Sequence, residues 1–182
     1  MKNLLSWAAV LIAALFINMF VGTTVGIQGE SMSPNLTSGD RAFSPLWQNW
    51  WPGSAFARGD VVYFPDPLAT GCRSRCPWVI KRIIGLPGET VAIEAGTVTV
   101  NGELLEEPWL QGRWHGSINQ EPVVVPEGSY FVLGDNRFPY GSVDSRQYGP
   151  VAADSIAGRA SFVFWPLLRR SDGGWRLYPH AL

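Results

Sequence analysis

Apolar and polar positions divide the chain near residue 25. From Leu4 to Val25 the segment LLSWAAVLIAALFINMFVGTTV carries no charge in 22 residues. At 1.5 Å per residue that is roughly 33 Å of helix, against a hydrocarbon core of about 30 Å. The pattern predicts a membrane-spanning anchor over residues 1–26. A cleavable secretory signal is the competing reading, but the apolar run exceeds a usual signal core and no small-x-small site follows it. Lys2 precedes the span, so the positive-inside bias keeps the amino terminus in the cytoplasm and exports residues 27–182 as one domain.

Past the anchor, the long helical period disappears and short β-branched runs recur between Gly and Pro. Val61–Phe64, Val79–Ile84, Thr90–Ile93, Thr97–Val100, Tyr130–Leu133 and Ile156–Trp165 read as strands, which makes the fold class mainly β. Asn101-Gly102 between two extended runs is a strong hairpin signal, and residues 97–128 are read as a small cap on the domain. Residues 43–58, with Trp47, Trp50 and Trp51, and residues 106–122, with Trp109 and Trp114, read as irregular. The first trio lies close enough to the membrane exit that an interfacial position competes with a place in the core.

Charge narrows the chemistry. Fourteen basic against fifteen acidic residues leave a net charge of -1 and no electrostatic case for nucleic acid. Two histidines, His115 and His180, and two cysteines, Cys72 and Cys76, poorly supply a His-based triad or a metal site, so no metal or cofactor is expected. Twelve of the fourteen basic residues are Arg, and past the anchor the single lysine is Lys81. It stands in the apolar run Val79-Ile80-Lys81-Arg82-Ile83-Ile84, where burying an ammonium is costly and a lowered pKa is expected.

Two further stretches accompany it. Gly29-Glu30-Ser31-Met32-Ser33-Pro34-Asn35-Leu36, followed by Gly39-Asp40, puts Ser31 near the bilayer surface. Gly134-Asp135-Asn136-Arg137, with Ser142, Asp144, Ser145 and Arg146, forms a polar cluster after the strand Tyr130–Leu133. Each stretch alone has a plain structural reading: a turn, a charge that keeps a strand edge from aggregating, a loop with Asx turns.

Together, in this order and behind an N-terminal anchor, SMSPNL with GD, RGDVVYF, VIKRIIGLPGE and GDNR with SVDSRQYG resemble the boxes of the type I signal peptidases. The resemblance implies a membrane-anchored serine endopeptidase with an extracytoplasmic antiparallel β-sheet or partial-barrel catalytic domain. It implies Ser31 as nucleophile, Lys81 as general base, Ser142 as a hydroxyl orienting the lysine, and Asp144 with Arg146 as a supporting ion pair. Four residues, Phe138–Gly141, separate Arg137 from Ser142 where many members have two, which leaves Ser145 as the alternative to Ser142. Glu30 and Arg82 are read as surface or pairing charges. Position 29, a hydroxyl residue in some members, is Gly here, so the oxyanion would rest mainly on the Ser31 backbone N–H.

The dyad is chemically self-consistent. An unperturbed lysine is neutral only about once in 2,500 molecules at pH 7, and lowering its pKa to about 8 needs roughly 3 kcal/mol of differential desolvation. Arg does not lose its proton in proteins and could not serve. The resemblance also implies cleavage of exported preproteins after a small-x-small sequence, with Ile27, Met32, Leu36, Val79 and Ile80 lining shallow pockets and the substrate adding as a strand beside Val79–Lys81. Its partners would be preprotein signal peptides and the phospholipid of a bacterial plasma membrane. On the oxidising side, Cys72 and Cys76 form either a short-loop disulfide or two free thiols. A pilin-maturing peptidase of the same family, a soluble self-cleaving repressor and a non-enzymatic anchored β-domain are the competing functions.

Overall fold

A computed structural model describes residues 6–7, 10–13, 22–45, 55–70, 77–110, 119–171 and 174–182. Most of the expected span, Lys2, Trp47, Trp50, Trp51, Trp114, His115 and both cysteines fall outside the described residues. Residues 6–7 and 10–13 are helical and expose Trp7, Val10, Leu11 and Ile12; among the described residues no helix is long and apolar enough to cross a membrane.

From Gly22 onward the chain is built of antiparallel strands. Strands β1 (Gly22–Gly26) and β2 (Arg41–Pro45) flank the loop 27–40, and β3 (Val61–Pro65) precedes the long β4 (Trp78–Gly85). Next come β5 (Thr90–Glu94), β6 (Thr97–Val100), β7 (Glu103–Leu104) and β8 (Gln120–Val124). β9 (Ser129–Leu133), β10 (Val151–Ala152), β11 (Gly158–Ala160) and β12 (Phe162–Trp165) follow, then β13 (Leu168–Ser171), β14 (Gly174–Leu177) and β15 (His180–Ala181).

The central sheet runs β10-β9-β4-β3-β11. Its strand β3 reads Val-Val-Tyr-Phe without alternation because both faces are covered. Val61, Tyr63 and Ile80 face one core cluster, with Ile27, Met32 and Leu36; Val62, Phe64 and Ile83 face a second, with Tyr130 and Val132. A second sheet, β1-β2-β12-β15, closes over the first cluster. The third, β7-β6-β5-β8, alternates in the ordinary way: Val91, Ile93, Val98 and Val100 turn inward onto Ile84, Phe131 and Leu133. Close packing there requires Gly85, where a β-carbon would lie 2.5 Å from Val91. That glycine ends β4 at a shift in register against β9.

Several elements differ from the sequence reading. Gly22–Gly26, taken as the end of the membrane span, forms five antiparallel pairs with β2. The single strand expected over Ile156–Trp165 is two: β11 pairs with β3 in the central sheet and β12 with β2 in the other, with Ser161 between them. β2, whose residues 43–45 fall in a stretch read as irregular, β8, β10 and β13–β15 were not anticipated, and the β8 sequence QEPVV is largely exposed. The Asn101-Gly102 hairpin forms as expected, both residues having positive φ (54° and 82°) and Val100 pairing with Glu103.

Candidate active site

The loop 27–40 is pinned at its base, where the Ile27 N–H donates to the Asp40 carbonyl and the Gly39 N–H to that of Ile27, at 2.9 and 3.0 Å. Between these ends the chain turns tightly, and Met32 and Leu36, at most 1% exposed, anchor the turn in the core. That leaves Ser31 at the rim. Asn136 holds it from the other side: its N–H donates to the Ser31 carbonyl and its Nδ2 to the Glu30 carbonyl, both at 3.0 Å.

Lys81 pairs with Val62 of β3 on one side and stands just before β9 pairing begins at Arg82 on the other; it is buried, so the reading of a solvated charge guarding a strand edge does not hold. Its ammonium, 3% exposed as a residue, donates to Ser31 Oγ at 2.8 Å and to the Ile80 carbonyl at 3.0 Å. Burial pushes its pKa down to about 8, although the carboxylates of Asp144, Asp66 and Asp135 pull the other way.

The polar cluster after β9 packs beneath. Asp144 is fully buried and takes a bidentate pair from Arg146, both contacts at 2.7 Å, while also accepting the Gly134 N–H and capping the one-turn helix Ser145–Tyr148. Ser145 is committed elsewhere, its Oγ accepting the Val132 N–H at 2.9 Å. The Ser142 hydroxyl is buried with no hydrogen-bond partner among the described residues. Ser142 lies against Gly134, where a β-carbon would fall 2.3 Å from its Oγ and 2.4 Å from the Ser31 carbonyl oxygen.

A cleft of about 280 Å³ opens beside the Ser31–Lys81 pair, walled by Ile27, Tyr63, Trp78, Val79 and Ile80. Of the five residues expected to line substrate pockets, Ile27, Val79 and Ile80 are on this wall, whereas Met32 and Leu36 lie in the core beneath it. The β4 edge faces this cleft. β3 pairs with Trp78–Arg82 on one side, but β9 begins only at Arg82, and among the described residues no strand pairs Trp78–Lys81 on the cleft side.

Sequence reasoning left the partner at the centre of the arrangement unnamed. Arg82, read as a surface or pairing charge, is the second: it is 3% exposed and makes a bidentate pair with Asp135 at 2.8 and 2.7 Å. Its Nη1 donates to the Gly59 carbonyl, and its guanidinium lies 4.9 Å from the centre of the Trp109 ring. Asn35 donates to both Asp135 and the Trp109 carbonyl. One buried ion pair therefore joins the serine loop, the lysine strand and the GDNR loop. The available signal was a second charge beside Lys81 in an apolar run, since a buried cation demands an anion.

Comparison with known proteins gives the family. A family model described as signal peptidase, peptidase S26, matches residues 1–165. Signal peptidase I of Bacillus licheniformis is 36% identical over 94% of this chain and 95% of its own length. Signal peptidase I T of Bacillus subtilis is 38% identical over 89% of this chain and 86% of its own, and signal peptidase IB of Staphylococcus aureus 35% over 91% of each. A crystal structure of a signal peptidase I from Enterococcus faecalis, 35% identical, covers 59% of this chain and 97% of its own with a TM-score of 0.48. With a family match across nine-tenths of its length, the chain belongs to the signal peptidase family, peptidase S26.

Proposed function

We propose that this chain is a membrane-anchored serine endopeptidase that removes signal peptides from exported preproteins after a small-x-small sequence. The observation that carries the reading is the Lys81 Nζ to Ser31 Oγ hydrogen bond of 2.8 Å, made by an amine whose pKa burial lowers to about 8. Neutral Lys81 accepts the Ser31 hydroxyl proton as Oγ attacks the scissile carbonyl. The Ser31 N–H stabilises the oxyanion. The lysine then returns the proton to the departing amine, and a water activated by the same amine releases the acyl group. Ser142, whose buried hydroxyl is free to donate or accept, orients the amine, with Asp144 and Arg146 holding that corner.

The substrate adds as an extended strand along Trp78–Lys81, and the cleft walls at Ile27, Val79 and Ile80 admit small side chains. Residues 4–21 anchor the chain. At roughly 27 Å of helix they remain within spanning length after β1 takes the last four positions of the uncharged run. The catalytic domain then stands outside the bacterial plasma membrane, with the amino terminus in the cytoplasm.

Purified in detergent, the full chain should cleave a preprotein bearing an Ala-x-Ala site. Ser31→Ala and Lys81→Met should each abolish turnover in a folded protein, and Lys81→Arg should be as inactive as Lys81→Met. Full activity in Lys81→Arg would sink the neutral-amine mechanism. Cleavage confined to pilin precursors would move the substrate class to a dedicated one.

A further inference from the structure

The segment after Trp165 lies beyond the family match, yet it reaches back to the serine loop. β15 pairs with β12, and the Leu182 N–H donates to the Ser161 carbonyl. Between β14 and β15 stands Tyr178, whose ring packs on the cluster that holds Ile27, Met32 and Leu36. Its hydroxyl lies 2.9 Å from Asp40 Oδ2 and 3.3 Å from the Asn35 carbonyl oxygen, so one proton is shared between two points of the Ser31–Asp40 turn. Arg169, next to β13's start, pairs with the other oxygen of Asp40 and stacks 3.6 Å from the centre of the Tyr178 ring.

Asp40 is 1% exposed, so its carboxylate depends on buried donors. The loop itself supplies the Thr37 N–H at 2.9 Å; Tyr178 and Arg169 supply the rest from beyond Trp165. Burial and the contact with Asp40 raise the Tyr178 pKa to about 12, so the phenol stays a donor across the working range. Lys81, by contrast, is fixed by the central sheet and does not depend on this segment.

We propose that Tyr178, assisted by Arg169, is a positioning residue for the nucleophile turn: it ties Asn35 and Asp40 down and thereby keeps Ser31 Oγ within reach of Lys81. The proposal rests on Ser31 being the nucleophile, and it acts on the proton-transfer distance rather than on substrate binding.

The test uses the full chain carrying Tyr178→Phe, which keeps the ring and removes the hydroxyl, and Arg169→Ala as an independent second variant. Amide exchange should accelerate about tenfold at Leu36, Gly39 and Asp40 while Ile83 in β4 is unchanged. Turnover of a preprotein should fall about tenfold in kcat with KM within about twofold. Unchanged exchange in the turn overturns the proposal whatever the activity. So does a KM rise at constant kcat, or a loss of protection at Ile83 that matches the turn, which marks general destabilisation. If the unmodified chain cleaves no preprotein, the peptidase reading fails instead, and the exchange comparison still decides whether the segment holds the turn.

Discussion

Lys81 works against the fold that holds it. Its pKa falls from the ordinary 10.5 to about 8 in the folded chain, mainly through burial. The unfolded chain thus binds the proton more tightly, and folding is penalised by about 3 kcal/mol at pH values below about 8. The penalty shrinks as pH rises from about 8 and is gone near 10.5, where both states have lost the proton. Lys81→Met should therefore unfold at higher denaturant than the unmodified chain at pH 7, with the gap narrowing by pH 10; an equal or lower midpoint at pH 7 would contradict it. Turnover follows the same group with the sign that the chemistry needs, rising with pH through about 8 and levelling above it. A pH-flat kcat/KM between 6 and 9 would remove the lysine from the proton path. This residue was legible in the sequence because an apolar run had kept a lysine in a domain otherwise using Arg. Pairing was one of the two readings open for Arg82 beside it, but the partner was not legible, because the anion, Asp135, lies 53 positions away and only the fold brings them together.

At the scale of elements, that pair fastens the two loops and the strand of the site. Removing one charge leaves its buried partner uncompensated, at a cost of about 3–5 kcal/mol, so Arg82→Met should lower the unfolding free energy by that order. Replacing both charges with apolar residues should recover much of the loss, and a double variant as weak as the single one would show that the ion pair is more than a matched set of charges. A gentler case is the turn between β5 and β6. Ala95 has φ 46° and Gly96 φ 81°, the same left-handed pair as Asn101-Gly102, but with a residue that dislikes it. Ala95 is exposed, and its N–H donates to Asn119. Ala95→Asn keeps that bond and should raise stability by about 1 kcal/mol, seen as a higher urea midpoint at unchanged slope. Ala-Gly is a weak turn signal beside Asn-Gly, and β8 carries too little apolar pattern to declare itself. Strands β3, β4 and β9 of the central sheet were legible from their apolar, β-branched and aromatic runs; the division of Ile156–Trp165 was not, since changing sheets leaves every apolar position apolar.

For the whole molecule, the strands of the body begin at Gly22, inside the stretch read from sequence as anchor, rather than after Gly26. Thr23-Thr24-Val25 is uncharged enough to end a membrane run and β-branched enough to form a strand, so hydropathy could not separate the two. A chain starting at Gly22 should stay folded and still cleave a soluble peptide, whereas one starting at Ile27 loses all five β1–β2 pairs and should melt lower with less turnover. Circular dichroism melts of the two truncations, each alongside the peptide assay, check this. The cleft beside Ser31 has one further consequence. Ile83 bonds toward β3, so by alternation the backbone groups of Trp78 and Ile80 turn toward the unpaired side. The Ile80 carbonyl already accepts from Lys81; the remaining groups are open to water or to a chain whose own amides and carbonyls are unclaimed. A segment already wound into a helix or paired in a sheet has nothing to offer them. In the proposed reaction the four-residue gap would thus sort polypeptides by how much structure they have acquired, setting cleavage in competition with the folding of the substrate.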